Sequence, residues 1–218
     1  MTSLIAATAL FLAAHFVAST PLRPALVKAL GEWPYRGLYS VVALAALGWM
    51  IVAYRAAPHE PLWTGLRFLP VVVMPIAFVL LVTGYSRNPT MVGADRLLKS
   101  DDPARGMIRV TRHPLMWALM LWSGAHVLAR GDLKSVVFFG GLFLLAAFGT
   151  LTIDARKRSS PDWARFAAAT SNVPFVAIAQ GRNRIIWREI GWLRPLIGLA
   201  AFAVFFAGHQ WMFGARPY

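Results

Sequence analysis

The sequence predicts an all-α, polytopic membrane bundle of about six transmembrane helices, and three observations carry that prediction. Apolar residues make up 58% of the 218, and only 14% are charged. Soluble domains carry about 25% charged residues. The apolar residues gather into six runs, each close to the ~17–25 residues that a spanning helix needs. The basic residues collect between the runs, and they do so unevenly.

The runs are residues 3–19, 39–54, 68–85, 114–129, 135–153 and 195–214. No positive charge precedes the first run, since the first basic residue is Arg23. A secretory signal needs a charged start, so this run is read as a retained helix. The fourth begins at Pro114, and proline suits a first helical turn because its missing N–H would be unpaired there anyway. In the fifth, Gly140 and Gly141 are read as points of close helix packing. Before the sixth, the stretch 184–193 (RIIWREIGWL) mixes two tryptophans with basic residues, as a helix lying among lipid headgroups would. Residues 162–169 read as a short helix with Trp163 and Phe166 on one side. There is no internal repeat, so residues 1–218 form a single membrane domain.

Charge sets the orientation. The first, third and fifth loops hold 17 of the 22 basic residues, among them Arg23, Arg109, Arg112, Arg156, Arg182 and Arg188. Basic loops stay in the cytoplasm. Both termini are therefore expected outside, in a bacterial inner membrane. A net charge of +13 would suggest nucleic acid in a soluble protein. Here the charge flanks apolar runs, so anionic lipid headgroups are the expected partner and nucleic acid is not. The chain has no cysteine, which excludes a disulfide, a thiolate metal site and a thiol nucleophile.

Candidate chemistry rests on five histidines. His15, His126 and His209 fall within spans, where an ionisable ring points to function by default. Each such ring can hydrogen-bond a neighbouring helix and hold the bundle together, or it can ligate haem iron from a facing helix. His126 shares a stripe with Leu119, Trp122 and Ser123, and His209 shares one with Phe202, Phe205 and Phe206. His59 lies in an outer loop. His113 stands with Arg109 and Arg112 at the cytoplasmic edge, either as a snorkelling collar or as an anion contact. If the helix extends back through Val110, Arg109 and His113 share a face. No acidic residue sits in mid-span, so paired-carboxylate proton chemistry and a di-iron centre are excluded. Asp154 closes the fifth span within reach of Arg112.

His15 followed by a basic loop, GMIRVTRHPLM at 106–116, SGAH at 123–126 and TSNVPFVAIAQGRNR at 170–184 resemble the NnrU family of bacterial membrane proteins. The same pattern is similar to the plant and cyanobacterial 15-cis-zeta-carotene isomerases. The resemblance implies haem b on His15 and His126, a link to nitrite and nitric oxide respiration or redox sensing, and a respiratory or redox membrane protein as partner. It also implies cis–trans isomerisation as an alternative activity. The isomerases' redox-exchangeable cysteine falls at Ser123 here. An RHP motif also resembles membrane methyltransferases of the isoprenylcysteine type, but their acidic pair is missing from DARKRSSPDW. A non-catalytic assembly partner of a respiratory complex is the remaining reading. Depth introduces a tension: His15 and His126 lie about four residues to opposite sides of their span midpoints, an offset of roughly 12 Å. His209 lies near the depth of His126.

Overall fold

The structure, a computed structural model, describes residues 1–17, 20 and 22–217. In chain order the helices are α1 (Thr2–Val17), α2 (Leu22–Leu30), α3 (Glu32–Ala56), α4 (Leu69–Gly84), α5 (Pro114–Arg130), α6 (Leu133–Lys157), α7 (Pro161–Ala169), α8 (Val176–Ala179), α9 (Trp187–Ile190) and α10 (Leu193–Phe213). Two 3-10 turns, Asp95–Lys99 and Gly106–Arg109, lie between α4 and α5. No strand forms among the described residues.

Every apolar run is a helix. Three of them, α3, α6 and α10, are long and apolar enough to cross a membrane. Helices α1, α4 and α5 have 16, 16 and 17 residues. At ~1.5 Å per residue each reaches only about 25 Å, short of a ~30 Å hydrocarbon layer. The expected end of the first run at Ser19 lies outside the described residues.

The long helices pack in a row: α10 on α4, α4 on α5, α5 on α6, α6 on α1, and α1 on α3. One core joins Leu4, Ala7 and Phe11 of α1 to Met50 of α3 and Phe138 and Leu142 of α6. A second joins Met74 and Ala77 of α4 to Ala125 of α5, with Phe202 of α10 against it. Small residues let the backbones approach. A Cβ at Gly141 would stand 2.5 Å from Thr8 Cγ2, and one at Gly198 would stand 2.9 Å from Phe78 O. Gly140 faces open space, so close packing at the glycine pair falls on Gly141 alone. Outward faces stay apolar: Leu44, Val72 and Val204 are each more than 60% exposed. Lipid, not water, suits patches of that size.

The loops between α4 and α5 and after α6 pack on each other. Leu98, Ala104 and Ile108 bury Trp163 and Phe166 of α7. The tryptophan-rich stretch differs from expectation. It makes only the single turn α9, which ends at Gly191 (φ 67°) before α10 begins. Helix α2 lies outside the six apolar runs; Arg23 binds Glu32 across its junction with α3, and Arg36 binds the same carboxylate from the next turn of α3.

Candidate functional site

A cleft of about 1100 Å³ opens between α4, α5 and α10. Its walls are aromatic, with Phe78, Trp122, Phe202, Phe205 and Phe206 lining it, and both His126 and His209 face into it. The volume is at the upper end of ordinary small-molecule sites, and the lining has their mix of apolar wall and few polar groups.

Both histidines are held the same way. His126 Nδ1 lies 2.7 Å from Trp122 O, and His209 Nδ1 lies 2.7 Å from Ala215 O. A carbonyl only accepts, so each Nδ1 carries a proton and Nε2 is the nitrogen left to act as a ligand. That is how ligating histidines are commonly oriented, with the other nitrogen donating to a backbone carbonyl. His126 also stacks on Phe139 of α6 at 5.0 Å. Of the stripe positions that the helical spacing singled out, Trp122 beside His126 and Phe202, Phe205 and Phe206 beside His209 reach the cleft, whereas Leu119 and Ser123 do not line it.

The segment between α3 and α4 covers the mouth. Leu62 N and Trp63 N both donate to Gly131 O, and Leu133 N donates to Glu60 O. Gly131 ends α5 in the left-handed region, φ 63°, where a side chain would meet Trp63 O. Asp132 is wholly buried, accepts from Ser135 N at 2.8 Å and lies 3.1 Å from His59 Nδ1. Three cations, Arg67, Arg130 and Arg216, also line this end of the cleft. The hydropathy pattern gave them no role; their only trace in the sequence is that each stands just outside an apolar run.

His15 occupies other surroundings. Its Nδ1 donates to Phe11 O at 2.8 Å, and its ring packs on Phe11 at 4.3 Å and edge-on to Tyr39. It does not line the cleft that holds His126. Ser123 is wholly buried and donates to Leu119 O at 2.7 Å.

At the opposite end of the bundle, Arg109 parts from Arg112 and His113. The 3-10 turn ends before α5 starts, so Arg109 and His113 do not share a helical face as anticipated. His113 Nε2 lies 2.7 Å from Asp154 Oδ1, and Arg112 Nε lies 3.5 Å from Asp154 Oδ2, which realises the anticipated pairing of Arg112 with Asp154. Arg109 is buried in a separate network. It forks onto Glu189 at 2.8 and 2.9 Å, donates to Asn183 Oδ1 at 2.9 Å and also pairs with Asp102. Gly106 N donates to Glu189 Oε2 at 2.8 Å. The hydrogen bond from Arg109 holds Glu189 below the usual carboxylate range, and the same bond raises Arg109 further. This clamp ties the loop before α5 to the segment before α10. Its partners lie some 80 positions apart in the chain, beyond the reach of any local pattern.

Comparison with known proteins agrees with the sequence motifs. A family model described as NnrU protein matches residues 3–217. The chain is 29% identical over 165 residues to a protein named 15-cis-zeta-carotene isomerase, chloroplastic, from Arabidopsis thaliana, covering 72% of this chain and 45% of that one. A protein of the same name from Zea mays is 28% identical over 178 residues, covering 75% and 47%. The chain thus spans about half the length of the curated relatives it matches. No solved structure matches it.

Proposed function

The chain belongs to the NnrU family, and from that premise we propose that it is a multi-pass protein of the bacterial inner membrane that holds haem b in the aromatic cleft. The observation that carries this reading is the pair of imidazoles, His126 and His209, facing one aromatic cleft with their Nδ1 atoms already engaged. The residues fit the group. His126 and His209 would hold the iron through Nε2, the phenylalanines would suit a macrocycle, and Arg67, Arg130 and Arg216 would suit its two carboxylates. His126 is the ligand this reading requires. His209 is supported as its partner by the shared cleft, and His15 by the family resemblance. Haem would supply a reversible one-electron centre here. The chain's part is to orient the two rings, to exclude water with Trp122 and the phenylalanines, and to neutralise carboxylates at the mouth.

The role that follows is electron transfer or ligand-exchange sensing in nitrite and nitric oxide respiration, beside a respiratory or redox membrane protein. A second reading, cis–trans isomerisation of a polyene, is favoured by the two relatives bearing that name. Ser123 offers this reading no substitute for a thiolate, because its hydroxyl is committed to its own helix. Purified protein from haem-replete cells is expected to yield about one haem b per chain in a pyridine haemochrome assay, one iron using one such site. Protein free of haem under those conditions overturns the proposal. Carotenoid turnover by the loaded protein would move the assignment to the isomerase reading.

We also propose six crossings with both termini outside. The 17 basic residues of the odd loops support this. So does the segregation of Arg109, Arg112 and Asp154 to one end of the bundle and of His59, Arg130 and Asp132 to the other. Reporter fusions placed after the last residue, which lies outside the described residues, and within 95–105 should report opposite sides. A cytoplasmic signal from the C-terminal fusion refutes the topology.

A further inference from the structure

A second, shallower cleft of about 540 Å³ lies at the end of the bundle where α5 starts and α6 finishes. Residues 170–177 build it by folding onto the approach to α5. Arg112 N donates to Ser171 O at 2.9 Å, Thr111 Oγ1 and Trp117 Nε1 donate to Asn172 O, and Phe175 N donates to Val110 O at 2.8 Å. Phe175 is held at φ 67°, costly for a residue with a side chain, and its ring stands 55% exposed.

Two guanidinium groups face this cleft, and no carboxylate lines it. Arg182 is anchored by neutral acceptors. Its Nη1 donates to Thr170 O and Ala168 O, and its Nε and Nη2 donate to Gln180 Oε1. It meets no carboxylate among the described residues. The Arg112 side chain is 14% exposed, and its buried Nε has no hydrogen-bond acceptor. Its nearest carboxylate, Asp154, is shared with His113. Burial lowers the Arg112 guanidinium from its ordinary value, Asp154 offsets part of that, and the like charge of Arg182 adds to the lowering. A buried guanidinium is ordinarily paired and hydrogen-bonded on its fork. Here two guanidinium groups line one cleft with a single carboxylate, shared with His113, between them. Planar guanidinium forks match the oxygens of phosphates and carboxylates, and phosphate is the anion that a site at headgroup depth meets.

We propose that Arg112 and Arg182 form a binding site for a phosphate group, either inorganic or carried by a membrane lipid. The exposed Val173 and Phe175 beside it suit acyl chains, and the ends of α5 and α6 would lie at headgroup depth. The site stands apart from the aromatic cleft, so its test does not depend on haem.

The full chain, purified in a neutral detergent, is titrated by calorimetry with sodium phosphate, with a short-chain phosphatidylglycerol and with the matching phosphatidylcholine, at constant ionic strength set with chloride. One phosphate or phosphatidylglycerol per chain is expected. Arg112→Gln and Arg182→Gln should each weaken binding at least tenfold, about 1.4 kcal/mol, and Arg182→Lys should recover only part of the loss. Tighter binding of phosphatidylglycerol than of phosphate assigns the site to lipid, and the reverse order assigns it to free anion. Arg182 is exposed and Arg182→Gln should fold, so it decides the matter even if Arg112→Gln does not accumulate. Heats that chloride reproduces, or unchanged affinity in Arg182→Gln, overturn the proposal.

Discussion

His126→Ala is expected to strip haem from the purified protein while leaving the bundle folded. Loss of an outer partner alone costs a metal site about 10–100-fold in affinity, and loss of the ligand itself costs more. The fold should survive, because the ring is one neutral group stacked on Phe139. The core around Met50 and Phe138 does not depend on it. The partner ligand is then read from spin state. A site with two imidazoles is low-spin, and removing the second should turn the spectrum high-spin while haem stays bound. His209→Ala is expected to do this, since His209 lines the same cleft. If His15→Ala produces the change instead, the pairing implied by the family resemblance is correct and the cleft reading of the second ligand fails. Unchanged haem content in all three variants would show that the histidines only pack.

The second large effect belongs to Glu189. Glu189→Ala should destabilise the protein by about 3 kcal/mol, because it leaves Arg109 buried without its main counter-charge. That corresponds to a fall in melting temperature of roughly 6–12 °C for a chain of this size. Glu32→Ala, which breaks exposed pairs with Arg23 and Arg36, should cost less than about 1 kcal/mol. The pH dependence has a definite sign. Glu189 is depressed in the folded state, so its contribution is complete above its unfolded value of about 4.3 and is lost as pH falls through the lower folded value. Arg109 is raised, and its contribution is lost only at strongly alkaline pH. Wild type and Glu189→Ala should therefore differ most at neutral pH and converge in acid. Melting curves followed by circular dichroism in detergent at pH 7 and pH 3 test this. A constant gap between the two proteins would remove Glu189 as the source.

Much of the architecture was legible in the chain. Each of the six apolar runs is a helix, and Pro114 does begin α5, because hydropathy and proline act through the residue and its immediate neighbours. The short helix holding Trp163 and Phe166 was visible for the same reason, as two aromatics on one face. The motifs also placed the chain in its family. Helix α2 escaped notice because its burial is slight and its charges read as loop. The expected headgroup helix is only the turn α9 because Gly191, at positive φ, ends it there, a backbone event that composition does not reveal.

What the sequence by itself determined is the class of protein: apolar helices, basic connecting segments, histidines within apolar runs and the family they resemble. Only the tertiary structure decided which of these residues meet. It set His209 beside the cleft of His126 and His15 in another layer, drew Arg109 onto Glu189 across 80 positions, and turned Arg182 toward Arg112. The physical reason is range. Hydrophobic burial and helix-start chemistry are encoded within a turn or two of the residue concerned. The order in which helices stack depends instead on close contacts such as Gly198 against Phe78 and Gly141 against Thr8, and each of those joins segments that the sequence keeps far apart.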